Sequence, residues 1–176
     1  MGLATLLLFP IPAYLVMHYF KGLDLQQFLQ FDNFKTVPIV YGLEFGIIYA
    51  FLAIIVLKAP IYERVPLRID KLVKDLNLNT FDAVFLSLCA GIGEELLFRS
   101  GMQPFAGVWI TSFIFVAVHG YFSFKNLNMS WYGALVFPFI LLISLGYEHF
   151  GLWFSISAHF SYDFVLFMAM ITNEDE

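Results

Sequence analysis

A chain of 176 residues that is 60% hydrophobic and 19% aromatic has few polar residues with which to cover a water-facing surface. Only 13% of the residues are charged, whereas soluble domains carry about 25%, and the mean hydropathy is +0.79. The net charge of -5 is spread thinly, without a basic tract. These values exclude a soluble globular domain and a nucleic-acid-binding protein. They favour an all-α, polytopic transmembrane helical bundle.

Long apolar runs predict six membrane spans, because a helix needs about 20 mostly apolar residues to cross a bilayer. The predicted spans are residues 3–20, 36–57, 81–101, 106–122, 131–147 and 150–171. Pro10 and Pro12 predict kinks in the first span. A tight turn at residues 101–104 is expected to pair the third and fourth spans antiparallel. With no repeat and no composition shift, residues 1–176 are predicted to form a single integral membrane domain.

The basic residues predict the orientation of these spans. Five of the nine lysines and arginines lie between the second and third spans, so we expect this loop to face the cytoplasm. With six spans, both termini are then cytoplasmic, in the cytoplasmic membrane of a bacterium. Within the loop, residues 69–76 separate apolar from charged side chains at helical spacing, which predicts a short interfacial helix. The N-terminus has no basic segment or small-residue cleavage site, so no removable signal peptide is expected.

Two adjacent glutamates lie in the middle of the third apolar run. Ionisable side chains at membrane depth are costly and usually face a polar interior. Glu95 precedes Arg99 by four residues, which is the favourable order for an ion pair on one helix. Glu94 points about 100° away from Glu95 and lacks this partner, so its carboxylate is available for general-base chemistry. A structural ion pair beside a protonated glutamate is an equal alternative.

Two histidines and a further acid lie in later apolar runs. A lone histidine such as His119 is more often a hydrogen-bonded packing residue than a catalytic one. His159 and Asp163 are four residues apart and share a helix face, where the carboxylate can fix the imidazole tautomer; a plain intrahelical hydrogen bond is the alternative. With the glutamates, these groups provide what activation of water requires. Glu44 has two interpretations, a group in the same cavity or a protonated structural residue, and the second is slightly favoured.

The polar residues form three spaced motifs, Glu94-Glu95-x-x-x-Arg99, Phe115-x-x-x-His119 and His159-x-x-x-Asp163. In this order, within apolar helices, they resemble the three motifs of the CPBP family of intramembrane proteases, also called the Abi or type II CAAX prenyl protease-like family. The resemblance covers about residues 80–170, the motif-bearing core. It implies an endopeptidase that hydrolyses a peptide bond of a membrane-associated or prenylated peptide or protein.

The resemblance also implies a role for each motif residue. Glu94 would be the general base that activates water together with His119. Glu95 and Arg99 would stabilise the site, and Glu95 would also contribute to catalysis alongside Glu94.

The third motif would act on the substrate. His159 and Asp163 would bind the developing oxyanion or position the peptide. The family often has asparagine at the last position, so an oxyanion-donor role of Asp163 depends on its protonation. A metal has been proposed for this family, but the chain has no His-Glu-x-x-His zinc signature. No cofactor is therefore assigned, and a divalent metal is left open.

The implied partners are membrane lipids and a peptide or protein substrate, with or without a lipid tail, and no nucleic acid. Two rival functions stay open. In the first, the chain is a non-catalytic membrane scaffold that binds a partner. In the second, it is a small proton-coupled carrier that uses the acidic side chains as a proton relay. The carrier ranks last, because carriers of this kind are typically built from repeats.

The six-span layout raises one geometric difficulty. It places Glu94 toward the extracytoplasmic half of its span and His119 toward the cytoplasmic half of the next. A shared site would then require tilted helices or shifted span ends.

Overall fold

The computed structural model describes residues 2–57, 78–122 and 127–172, which form helices joined by short connections, with no strand among them. The helices are α1 (Gly2–Leu8), α2 (Pro10–Lys21), α3 (Leu25–Phe28), α4 (Thr36–Leu57), α5 (Thr80–Glu95), α6 (Gln103–Val118), α7 (Leu127–Phe150) and α8 (Leu152–Thr172). A 3₁₀ turn, Phe31–Asn33, precedes α4, and a π-helical segment, Leu96–Met102, joins α5 to α6.

The described chain contains five segments that are long and apolar enough to cross a membrane. They are Gly2–Lys21, Thr36–Leu57, Thr80–Val118, Ser130–Phe150 and Leu152–Thr172. The predicted all-α membrane bundle is therefore confirmed, with the third and fourth predicted spans combined in one helical segment, Thr80–Val118. The predicted interfacial helix, residues 69–76, lies outside the described residues. The cytoplasmic position of the termini stays a prediction.

The first span is broken where its prolines predict a kink. Phe9 separates α1 from α2, and Pro10 begins α2. Proline is tolerated in the first helical turn, because a backbone N–H there would have no intrahelical acceptor and its absence costs no hydrogen bond. Gly22 ends α2 with φ 68°; its N–H donates to the carbonyl oxygen of His18, and the N–H of Leu23 donates to that of Met17, a common way to close a helix.

Glycines on α4 allow it to pack closely against α8. Gly42 and Gly46 are four residues apart and face α8, where a Cβ on either would overlap backbone carbonyl oxygens and serine side chains. Small residues at this spacing let membrane helices approach until their backbones touch. Ala50 and Ala53 continue the same buried face. This contact fixes α8, the helix that carries His159 and Asp163.

Gly46→Ala is expected to destabilise the protein, because the added Cβ would overlap the Ala158 carbonyl oxygen and the Ser161 hydroxyl. Overpacking of this kind costs about 1–3 kcal/mol. Thermal unfolding in detergent measures the effect. Ile48→Ala is the matched control, since Ile48 is 68% exposed on another face of α4. An unchanged midpoint temperature of thermal unfolding for Gly46→Ala would show that α4 and α8 do not pack this closely.

The segment Thr80–Val118 is a hairpin that reverses at Gly107. This residue has φ 75° and ψ 172°, which interrupts α6 with a backbone conformation that favours glycine. The rings of Phe98 and Phe115, on opposite sides of the turn, lie 4.7 Å apart. In a straight helix these residues would be about 25 Å apart, so the chain must fold back between them.

The turn predicted at residues 101–104 is wrong. These residues are helical, and Pro104 occupies the first turn of α6, where proline causes no loss of a helix hydrogen bond. The antiparallel pairing of the two predicted spans is correct, but with a later turn. Glu94 lies thirteen residues before Gly107 and His119 lies twelve after it. The two side chains therefore reach the same depth, which removes the difficulty raised by the six-span layout.

Candidate active site

Four ionisable side chains form a continuous chain of polar contacts inside the bundle. The Nε of Arg99 lies 2.9 Å from Glu95 Oε2, and both side chains are fully buried. The other carboxylate oxygen of Glu95 lies 2.8 Å from His159 Nδ1, and His159 Nε2 lies 3.4 Å from Asp163 Oδ2. The two pairs predicted within single helices are thus present. The contact of Glu95 with His159, which joins α5 to α8, is an additional link.

The proton positions in this chain follow from its partners. With both carboxylates ionised, each can only accept hydrogen bonds, and the form of His159 that complements a carboxylate at each ring nitrogen is the imidazolium. The two carboxylates, the guanidinium and the imidazolium then sum to zero charge. Because an uncompensated charge is strongly unfavourable in a buried position, this balance explains how four ionisable groups are held inside the membrane.

Glu94 faces a different histidine. His119 directly follows α6, and its Nε2 lies 3.3 Å from Glu94 Oε2. Its Nδ1 lies 2.6 Å from the carbonyl oxygen of Phe115, an atom that can only accept, so Nδ1 carries a hydrogen. Nε2 is therefore the ring nitrogen left to interact with the Glu94 carboxylate. The Glu94 side chain is 13% exposed and that of His119 28% exposed, so this pair is accessible while Glu95 and Arg99 are not.

One cavity of about 180 Å³ connects the two polar groups. Glu94 and His119 line it together with His159 and Asp163, and the remaining lining is apolar and aromatic. Its volume holds several water molecules, since one requires about 10–15 Å³ of such space. Four of the six predicted site residues thus share a cavity. The other two, which form the buried ion pair, lie behind His159 and support it.

Phe115 is a site residue to which the sequence interpretation assigned no role. Its ring stacks on His119 at 4.5 Å and meets His159 edge-on at 5.8 Å. The Arg99 guanidinium carbon lies 5.4 Å from the same ring, within the range of a cation–π contact. The spacing of four residues between Phe115 and His119 was the available signal, because such residues share a helix face.

Glu44 lies apart from this site. It is exposed, does not line the cavity, and stands two residues from both Gly42 and Gly46, which face α8. Two residues correspond to a rotation of about 200° around a helix. Glu44 therefore points away from the bundle interior.

The donor set of the site does not fit a bound metal ion. Across the described ranges, no three or more side chains of His, Cys, Asp and Glu are grouped so that they could hold one. Both ring nitrogens of His159 face carboxylates. Only one nitrogen of His119 faces away from the backbone, and it faces Glu94.

Comparisons with known proteins place this chain in a family. The uncharacterized protein YpbD of Bacillus subtilis (strain 168) is 36% identical over 83 residues, which are 47% of this chain and 42% of that protein. The chain therefore spans less than half of that relative's length. No solved structure matches the chain. The model of the Rce1-like type II CAAX prenyl endopeptidase family matches residues 76–165, just over half of the chain, and includes all three motifs. This integral membrane protein belongs to the Rce1-like type II CAAX prenyl endopeptidase family.

Proposed function

We propose that this protein is an intramembrane endopeptidase in which Glu94 activates water for attack on a peptide bond. The observation that carries the proposal is the pairing of Glu94 with His119 in one cavity beside His159 and Asp163. A positioned carboxylate that reaches both an imidazole and water is what general-base catalysis requires. Family membership supports peptide hydrolysis as the reaction. The substrate is a membrane-associated or prenylated peptide or protein.

In the proposed reaction, ionised Glu94 accepts a proton from water while the water oxygen bonds to the peptide carbonyl carbon. The electron pair of the carbonyl double bond moves to its oxygen and forms a tetrahedral oxyanion. When the C–N bond breaks, the leaving nitrogen takes the proton from Glu94. The products are a carboxylic acid and an amine, and Glu94 returns to its ionised form. His119 positions Glu94, because its ring is itself fixed by the carbonyl oxygen of Phe115.

His159 is the proposed source of oxyanion stabilisation. It lines the cavity and contacts Glu95 on one side and Asp163 on the other, and in the proposed mechanism its ring is protonated and positively charged. Because both of its ring nitrogens face carboxylates, the stabilisation that we propose comes from the positive charge of the ring beside the developing oxyanion, and not from a free N–H donor. An ionised Asp163 cannot donate a hydrogen bond, so we assign it to positioning His159. Arg99 has a positioning role through Glu95.

The first test asks whether the chain hydrolyses peptides at all. Wild-type protein reconstituted in vesicles should cleave members of a library of membrane-anchored peptides. In heavy-oxygen water, mass spectrometry should find one solvent oxygen in each new carboxyl terminus. His119→Ala should lower the rate about 100-fold or more. Glu44→Gln, the matched control, should retain the rate, because Glu44 is a membrane glutamate outside the cavity.

Absence of cleavage by the folded wild-type chain, or full activity of His119→Ala, would overturn the proposal. A chain that cleaves no peptide, while Glu94→Gln retains its biological function, would instead support the non-catalytic scaffold.

A further inference from the structure

A second cavity reaches the Glu94–His119 pair from another side. It has a volume of about 410 Å³, larger than the first, and shares only Glu94 and His119 with it. Its other lining residues are apolar: Phe9, Leu97, Phe98, Met102, Ile114 and Val118. We call this second cavity the apolar cleft.

The break in the first span lies at the apolar cleft. A Cβ on Gly93 would overlap the backbone at Thr5, and a Cβ on Gly101 would overlap Ala13. Thr5 and Ala13 are eight residues apart, and so are Gly93 and Gly101. The first span therefore runs parallel to α5 and the π-helical segment and contacts them at two levels. Phe9, which separates α1 from α2, lies halfway between those levels.

The apolar cleft is open on its outer side. Val118, at the end of α6, is 65% exposed, and Phe9 is only half-buried. Because both residues belong to membrane-spanning segments, we place this opening toward the lipid. Phe9 lies on the first span, whereas the other lining residues lie on the hairpin.

We propose that the apolar cleft is a substrate subsite for one bulky apolar side chain next to the scissile bond, with Phe9 setting its size limit. This inference rests on the proposed peptidase function. A peptide bond held at Glu94 has chain on both sides, and the two cavities meet at that residue. The cleft offers hydrogen-bonding side chains only at the reacting pair, so a polar substrate side chain would lose hydration there without compensation. An apolar side chain gains about 25 cal/mol for each Å² removed from water.

The test compares two membrane-anchored, internally quenched peptides that the wild-type chain cleaves and that differ only next to the scissile bond. One carries alanine at that position and the other phenylalanine. Wild-type protein in vesicles should prefer phenylalanine in kcat/KM. Phe9→Trp should lower this preference at least about tenfold, since even one methylene in an apolar pocket changes selectivity by about 10–200-fold. Phe9→Ala should extend cleavage to a larger residue, naphthylalanine.

Leu8→Trp is the matched control, because Leu8 is adjacent, is 61% exposed and does not line the cleft. It should leave the preference unchanged. The subsite is refuted if wild-type protein cleaves both peptides but Phe9→Trp alters their ratio no more than Leu8→Trp does. Failure of wild-type protein to cleave any library peptide refutes the peptidase function, and the subsite with it, so the two failures are distinguishable.

A second measurement does not depend on turnover. Benzoylphenylalanine placed at position 118 of the full chain, where Val118 lines the open side of the cleft, should, on illumination, cross-link to the phenylalanine-bearing peptide and less to the alanine-bearing one. Cross-linking only to lipid, with no competition from the peptide, would assign the cleft to a hydrocarbon chain of the bilayer and overturn the proposal.

Discussion

Glu94→Gln is expected to lower kcat for peptide hydrolysis by about 10²–10⁴-fold, the usual contribution of a positioned general base. Glutamine has nearly the same size, and its amide can still hydrogen-bond to His119 Nε2, as a donor to the neutral ring or as an acceptor from the protonated one. It cannot take a proton from water. The substitution therefore removes the proposed chemistry while retaining the main contact of residue 94.

The measurement is kcat in vesicles at saturating peptide, together with thermal unfolding of the same preparation. Glu94→Gln should unfold near the wild-type temperature, because Glu94 is partly exposed and lies outside the buried ion-pair chain. Glu44→Gln removes another membrane carboxylate and should change neither quantity. A Glu94→Gln protein that turns over at the wild-type rate would exclude Glu94 as the base. The water would then have to be activated by another group of the cavity, such as Asp163.

Contacts within one helix could be predicted from the sequence, because helix geometry fixes which residues share a face. The pairs of Glu95 with Arg99 and of His159 with Asp163 follow from a spacing of four and are present in the structure. Their catalytic roles stay predictions. The contacts that turn these pairs into one site cross between helices. The spacing of residues within one helix determines neither the contact of Glu95 with His159 nor the depth of His119 in the membrane relative to Glu94.

The position of the hairpin turn shows why the remaining geometry could not be predicted. Gly101 beside Pro104 has the composition of a turn, whereas Gly107 stands alone in an apolar run. In the structure, Pro104 begins α6 and Gly101 packs its backbone against Ala13. Gly101 thus serves close packing, whereas Gly107 supplies the positive φ of the turn. The π-helical segment Leu96–Met102, which contains Gly101, likewise has no distinct composition, although such segments are frequent at functional sites.

Arg99→Met is expected to destabilise the protein by about 3–5 kcal/mol, the usual cost of removing one partner of a buried ion pair. Methionine is of similar length and apolar, so the substitution mainly removes the charge. Glu95, His159 and Asp163 would then carry a net charge of -1, with Glu95 fully buried and Asp163 partly exposed. The free energy of unfolding, measured by denaturation in mixed detergent micelles, should fall, and activity should fall with it because His159 loses its fixed position.

The double substitution Glu95→Gln with Arg99→Met separates charge balance from the loss of contacts. It leaves His159 and Asp163 as a neutral pair, and the glutamine oxygen still accepts from His159 Nδ1. If neutrality holds the site together, the double variant should be more stable than either single variant, although it lacks more contacts. Glu95→Gln alone leaves a charge of +1 and should also be destabilised. A double variant less stable than both single variants would show that the contacts of Arg99, including the one with Phe115, outweigh charge balance. Those contacts would then be the reason why an arginine is fully buried behind the site.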